Sequence, residues 1–229
     1  MKRHVNYAVL RRKFKLKYAV DRCMASVLIV FTFPVFVFAV FLIKLDGWIN
    51  PENAGSVFYV EPRISAGRVF NIIKFRTVPR EKVKWIREDV EHRSITGSSE
   101  VTWAGDIVLN WYMDELPQMF NILKGDMSFI GPRPHVIAQT RQEIEAGLVY
   151  RKHIKAGLLG VVQAMKRDKK YKAMFAKMAK THKSNSTALN KMDAMYADKC
   201  LDKSPAGIVL FDLYLIARGI ITVFKGVAK

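Results

Sequence analysis

Cys23 to Ile43 reads CMASVLIVFTFPVFVFAVFLI, 21 residues without a charge. About 20 such residues cross a hydrocarbon core as one helix. A secretory signal would carry an apolar run of roughly 7–15 residues ending at a small-residue cleavage site. This run instead ends in Lys44-Leu45-Asp46-Gly47-Trp48, so the stretch predicts membrane insertion without cleavage. Pro34 lies near its middle, where it removes a backbone donor and crowds the preceding turn, which predicts two halves too short to cross separately. Upstream, Met1 to Lys17 carries Lys2, Arg3, Arg11, Arg12, Lys13, Lys15 and Lys17 and no acid, and downstream the chain is basic with no second span. The positive-inside rule then keeps both flanks cytoplasmic. A re-entrant helix satisfies both flanks; a Pro-kinked single span is the alternative. The expected division is a basic segment over residues 1–21, a re-entrant anchor over 22–47 and one main domain over 48–229.

The whole chain of 229 residues has 38 Lys plus Arg against 20 Asp plus Glu, a net charge of +18. Such an excess calls for a polyanionic partner: nucleic acid, an anionic membrane surface or phosphorylated substrates. No recognition helix or stacking platform accompanies the charge, so a nucleic-acid partner is not expected. With 50% hydrophobic and 11% aromatic residues, wholesale disorder is excluded. Two distant cysteines, Cys23 and Cys200, offer neither a disulfide framework nor a zinc site, and the chain reads as intracellular.

Beyond the anchor, Ser56–Ile64 and Arg68–Val78 are rich in β-branched and aromatic residues and flank Ser65-Ala66-Gly67, which predicts a β-hairpin. Glu81–Arg93 has helical spacing, Ser94–Ser99 reads as a loop, and Asp114–Leu123 reads as a short helix closed by Gly125. Arg151–Lys183 is a second basic block, with Met165, Met174, Phe175 and Met178 among its cations. That composition suits a helix at an anionic interface, and equally a solvated lysine-rich face. In Gly207–Val227 the charges Asp212, Arg218 and Lys225 fall on one helical stripe, as expected of a helix lying at an interface.

Four clusters could carry chemistry. On a strand, Lys74 and Arg76 share one face, and two neighbouring cations repel unless an anion lies between them; a solvated strand face is the other reading. Asp114-Glu115-Leu116-Pro117 is an acidic helix start, with Asp114 suited to the N-cap. Such a pair is also placed to attack or to bind a metal. Lys124-Gly125-Asp126 closes that helix. In Gly131-Pro132-Arg133-Pro134 two prolines restrict the backbone around Arg133, lowering the entropy lost when its guanidinium engages an anion; a rigid turn with an idle arginine is the other reading, and the simpler one from these residues alone. P-loop, HExxH and GxSxG patterns are missing, and His4, His92, His135, His153 and His182 lack metal-ligand spacing, so a nucleophile here should be a carboxylate.

The 21 residues from Asp114 to Pro134, DELPQMFNILKGDMSFIGPRP, closely resemble the signature of the bacterial sugar transferase family, the monotopic phosphoglycosyl transferases. Lys17–Asp21 with the broken apolar helix, Gly55–Phe58, Lys74–Thr77, Gly157–Gln163 and Asp193–Tyr196 resemble other segments of that family. The resemblance implies an α+β, mainly helical fold: a re-entrant membrane helix, a small β-hairpin and amphipathic interfacial helices around one catalytic core. It implies transfer of a sugar-1-phosphate from a UDP-sugar to a polyprenyl phosphate, expected to be undecaprenyl phosphate, with release of UMP, as the first step of surface glycan assembly. Asp114 would be the nucleophile that forms a covalent phosphosugar-enzyme, and Glu115 its partner in handling a proton or Mg²⁺. Lys74, Arg76, Thr77, Arg133 and Asp126 would bind substrate, and Asp114 with Glu115 would hold the metal. The expected location is the cytoplasmic face of the bacterial inner membrane, among anionic lipids, with a homodimer left open.

The resemblance has departures. Phe33 stands where the family has Ser before the helix-breaking Pro. Val101–Asp106 lacks the family's upstream arginines, and Ala156–Gly160 lacks its usual Pro and Thr. These changes motivate a second reading, a degenerate relative that binds lipid or protein without turnover.

Overall fold

The computed structural model describes residues 6–83, 101–165, 173, 176 and 185–224. Most of the helix expected over 81–93, the loop over 94–99, the bulk of the basic block after Met165, and Lys225 lie outside the described residues.

One helix organises the molecule. Helix α1, Tyr7–Ile49, runs for 43 residues and starts where the Asn6 side chain accepts from the Ala8 and Val9 amides. The basic segment and the apolar stretch are thus a single element. Helical backbone continues through Pro34, so the two halves expected on either side of it belong to one element. Proline removes one backbone hydrogen bond there. Beside it, Phe36 packs against Phe58, Phe75 and Phe120 with ring centroids 4.9–6.0 Å apart. The face of α1 that carries Leu10, Phe14, Lys17, Asp21, Ala25, Ala39, Ile43 and Asp46 is buried. This near-3.6 spacing marks one stripe facing inward. Val30, Phe31, Phe33, Phe38 and Phe41 are exposed. By length and composition α1 is able to cross a membrane.

The expected hairpin forms. Strands β1 (Phe58–Ser65) and β2 (Arg68–Phe75) pair antiparallel, from Phe58 opposite Phe75 to Ser65 opposite Arg68. The two-residue turn puts Ala66 and Gly67 at φ 49° and 78°, the left-handed conformation that matches strand twist. Helix α2 (Trp103–Asn110) follows, capped by the Thr102 side chain on the Gly105 amide. After a 3-10 turn, Met113–Glu115, comes α3 (Gln118–Lys124), ended by Gly125 at φ 88°. Strand β3 (Met127–Ile130) pairs in parallel with β4 (Ala156–Leu159); between them lie α4 (Ile137–Glu145) and a 3-10 turn, Val149–Lys152. Helices α5 (Val161–Met165), α6 (Asn185–Leu201) and α7 (Pro205–Phe224) complete a mainly helical fold with two small sheets.

Three apolar clusters form the core, and α1 contributes to each. Leu10 and Phe14 join Tyr150, Met192, Tyr196 and Leu215. Ala25 meets Phe70, Ile72, Ile122 and Phe129. Ala39 and Ile43 meet Val57, Phe75, Val108 and Met113.

Of the charge stripe expected on α7, Asp212 turns inward. Asp212 is buried and ion-paired with Lys17 of α1, while Leu210, Leu213, Tyr214, Ile220 and Ile221 are exposed. Lys17 also donates to Ser128 Oγ at 2.6 Å and the Ile130 carbonyl at 3.0 Å, and the Tyr196 hydroxyl donates to Asp212 at 2.8 Å. A charge deep in the protein requires a partner, and α1 supplies one from 195 residues away.

Candidate active site

Three segments converge around the acidic pair. The chain enters it under strain. Tyr112 adopts a left-handed conformation, φ 54°, unusual for a residue with a side chain. The turn Met113–Glu115 follows, and Pro117 then starts α3. Asp114 is not the N-cap expected from its position. The residue before α3 is Pro117, and no side chain caps that helix. The Asp114 carboxyl is therefore free of a capping role.

Opposite lies the end of β2, where Lys74 Nζ sits 3.5 Å from Glu115 Oε1. From the third segment, the Gly131–Pro134 turn, Arg133 Nη2 reaches the same oxygen at 3.3 Å. Two cations thus flank two adjacent carboxyls, and the electrostatics separate the pair. Burial, then the neighbouring Glu115 charge, pushes Asp114 up to about 6, against the opposing pull of Lys74 and Arg133. Burial also raises Glu115, but Lys74 and Arg133 outweigh it and hold that carboxyl below its usual range. One carboxylate is locked into ion pairs while its neighbour retains a poised acidity, an arrangement suited to nucleophilic chemistry.

Two residues that the motif alone does not single out build this geometry. The buried Asn121 donates from Nδ2 to the Asn71 carbonyl at 2.7 Å and accepts from the Ile73 amide at 3.0 Å. It therefore behaves like a third strand against the free edge of β2 and fixes α3 beside Lys74. Gln118 hydrogen-bonds Glu115. Both lie on the face of α3 that also buries Ile122, so a polar residue on an apolar helical face was the signal. At the other end of α3, Arg22 of α1 donates to the Lys124 carbonyl at 3.3 Å, a cation at a helix C-terminus.

The remaining expected binding residues behave differently. Arg76 lies beyond the end of β2 and is buried. Its guanidinium donates to the carbonyls of Ser56, Val78 and Asn53 at 2.7, 2.7 and 2.6 Å. This corrects the expectation that it faces a substrate beside Lys74: it ties the loops at both ends of the hairpin. Thr77 contributes its backbone carbonyl to the Thr102 amide at 3.0 Å, at the start of α2. Asp126 stands past the far end of α3, about 10 Å of helix from the dyad, and its carbonyl accepts from Ser65. The Gly131 turn crosses β4 closely enough that a Cβ on Gly157 would lie 2.2 Å from the Gly131 nitrogen. Only glycine fits there.

The chemistry of the donors suits a divalent cation shared with a substrate. Magnesium is usually bound by one or two carboxylates plus substrate phosphates, and Asp114 with Glu115 provides that number. Among the described residues, no group of three or more His, Cys, Asp or Glu side chains forms a self-sufficient cage.

Residues 12–226 match the family model described as bacterial sugar transferase. An uncharacterized sugar transferase of Haemophilus influenzae is 33% identical over 67% of this chain and 33% of its own length. The UDP-N-acetylgalactosamine-undecaprenyl-phosphate N-acetylgalactosaminephosphotransferase of Aeromonas hydrophila is 32% identical over 66% of this chain and 34% of its length. The exopolysaccharide production protein ExoY of Rhizobium meliloti is 30% identical, over 66% of this chain and 70% of its own length. The aligned region thus spans about a third of the first two relatives.

Proposed function

Because the chain belongs to the bacterial sugar transferase family, we propose that it transfers a sugar-1-phosphate from a UDP-sugar to a polyprenyl phosphate, undecaprenyl phosphate by analogy with the Aeromonas relative. The observation that carries this reading is the Asp114–Glu115 pair flanked by Lys74 and Arg133. A carboxylate attacking a diphosphate meets like charge, so a site for this reaction must concentrate cations around the acid.

In the first step an Asp114 carboxylate oxygen attacks the β-phosphorus. The bond from that phosphorus to the bridging oxygen breaks, and UMP leaves with the oxygen and its electron pair. The enzyme then carries the sugar phosphate as an acyl phosphate. In the second step a phosphate oxygen of the polyprenyl phosphate attacks the same phosphorus, the bond to Asp114 breaks, and the free carboxylate returns. Lys74 and Arg133 orient the diphosphate and offset its charge. Glu115, held ionised by the same two cations, keeps them in place between turnovers. Asp114 and Glu115 are the residues that would hold Mg²⁺, which neutralises phosphate charge when bound.

The lipid acceptor explains the exposed apolar face of α1. Both halves of this helix pack on the domain, so its ends stay on the domain's side of the membrane. This supports a helix that enters one leaflet and returns over one that crosses; the cytoplasmic face is the expectation from the basic flanks. Anionic lipids would be held by the basic N-terminal residues.

The test is UMP release from a panel of UDP-sugars, with Mg²⁺ and polyprenyl phosphate, by the wild-type chain and Asp114→Asn. Release that needs Asp114 is expected. Undiminished release by Asp114→Asn would overturn the assignment, and silence across the panel would favour a relative that binds without turnover.

A further inference from the structure

Arg133 is held between two prolines, but its turn is also held from behind. The Arg133 carbonyl accepts from Arg151 Nη1 at 2.9 Å. Arg151 comes from the turn Val149–Lys152, and its side chain is only 4% exposed. The guanidinium makes other contacts around this one, lying 5.5 Å from the Tyr150 ring centroid and close enough to buried Asp193 to oppose the rise in its pKa. Nε lies 2.7 Å from Glu143 Oε2, and Nη2 lies 3.1 Å from His135 Nδ1. Glu143, on α4, meets His135 Nδ1 at 2.9 and 3.1 Å and accepts from Gln139 Nε2 at 3.0 Å. On the other side of the turn, the Pro132 carbonyl accepts from the Gly157 amide at 3.0 Å.

This is a costly arrangement for a surface turn. A buried cation and a buried carboxylate are brought together, and what they grip is one backbone carbonyl and the histidine two residues further on. A lysine would satisfy Glu143 as a point charge but lacks the planar fork that also reaches the Arg133 carbonyl and His135. The Arg133 side chain, by contrast, is half-exposed and ends at Glu115. The rigid half of the residue is therefore its backbone, and Arg151 is what makes it rigid.

We propose that Arg151 is a positioning residue for Arg133, clamping the Gly-Pro-Arg-Pro turn so that the Arg133 guanidinium is presented to the diphosphate of a nucleotide sugar beside Glu115. The inference rests on the function proposed above and adds to it a residue whose effect on the diphosphate passes through Arg133 alone. Arg151 sits at the head of what reads in sequence as a basic block, but its charge faces inward and contributes no anion-binding surface.

A double-mutant cycle separates positioning from general stability. UMP release is measured for the wild-type chain, Arg151→Lys, Arg133→Ala and the double variant, each as a full chain in detergent or lipid nanodiscs. Arg151→Lys is expected to lower kcat/KM about tenfold, mainly through KM, and to lower it less than twofold when Arg133 is already Ala. Equal losses in the two backgrounds, or no loss from Arg151→Lys alone, would overturn the proposal. If Arg151→Lys does not fold, Glu143→Gln, which frees the guanidinium while keeping the shape, replaces it with the same expectations. Equilibrium binding of UDP to the same four proteins keeps the clamp distinct from the reaction. A chain that binds UDP with this coupling but releases no UMP refutes the transferase reading and retains the clamp. A wild-type chain that binds no UDP refutes both.

Discussion

Asp114 and Glu115 are neighbours in the chain, yet their environments push their acidities apart: Asp114 up to about 6, Glu115 below the ordinary range. The attacking species is the carboxylate, so kcat/KM for UMP release should rise as pH rises through about 6 and fall below it as Asp114 takes a proton. Lys74 pulls both carboxyls down, so Lys74→Ala should move this acidic limb to higher pH and lower kcat/KM by tenfold or more. A pH–rate profile whose limb stays in place would show that Lys74 does not face the dyad in solution. The two arginines make opposite predictions. Arg133→Ala should lower kcat/KM more than tenfold with little change in unfolding, since it removes a charge-assisted contact of roughly 1.5–3 kcal/mol. Arg76→Gln should destabilise the fold, at about 1–3 kcal/mol for each buried carbonyl left unpaired. Kinetics and thermal unfolding on the same two variants check both, and a reversed pattern would exchange their roles.

At the scale of elements, what was legible in the sequence was local. The hairpin follows from two β-branched runs around a turn whose Gly67 tolerates positive φ, and the stop of α3 from Gly125. The acidic pair and the Gly-Pro-Arg-Pro turn stood out through the family resemblance of the run that joins them; alone, each reads as well as an ordinary helix start or a rigid turn. What escaped was long-range. Asp212 on an apolar helix reads as part of an interfacial charge stripe until Lys17, 195 residues away, is seen beside it. Arg76 alternates with Lys74 on paper, but the strand ends at Phe75 and loop carbonyls close around its side chain. Pro34 marks a missing backbone donor in the sequence, but not that Phe36 beside it is braced by three rings. The Lys17–Asp212 pair gives a prediction at this scale. Lys17→Met should leave Asp212 and Asp21 without their counter-ion between α1 and α7, costing about 3–5 kcal/mol. Adding Asp212→Leu should recover part of that loss. Thermal unfolding in detergent reads both, and a neutral Lys17→Met would mean that α1 and α7 are not joined through this pair.

The whole molecule is arranged along α1. The helix enters all three core clusters with one face and leaves Val30, Phe31, Phe33, Phe38 and Phe41 bare on the others. A dyad fixed to β2 by Asn121 and to α1 by Arg22 at opposite parts of α3 is thereby tied to the helix that bears this exposed apolar face. The proposed reaction has two steps, the first needing only the soluble nucleotide sugar, and it turns on a covalent bond between Asp114 and the phosphosugar. The direct measurement is intact-protein and peptide mass spectrometry after mixing the chain with an accepted UDP-sugar and Mg²⁺ in the absence of polyprenyl phosphate. The account predicts a mass increase of one sugar phosphate on the peptide that carries Asp114, lost on adding the lipid and absent in Asp114→Asn. UMP release that waits for the lipid and never leaves an adduct, or an adduct that persists in Asp114→Asn, would contradict it.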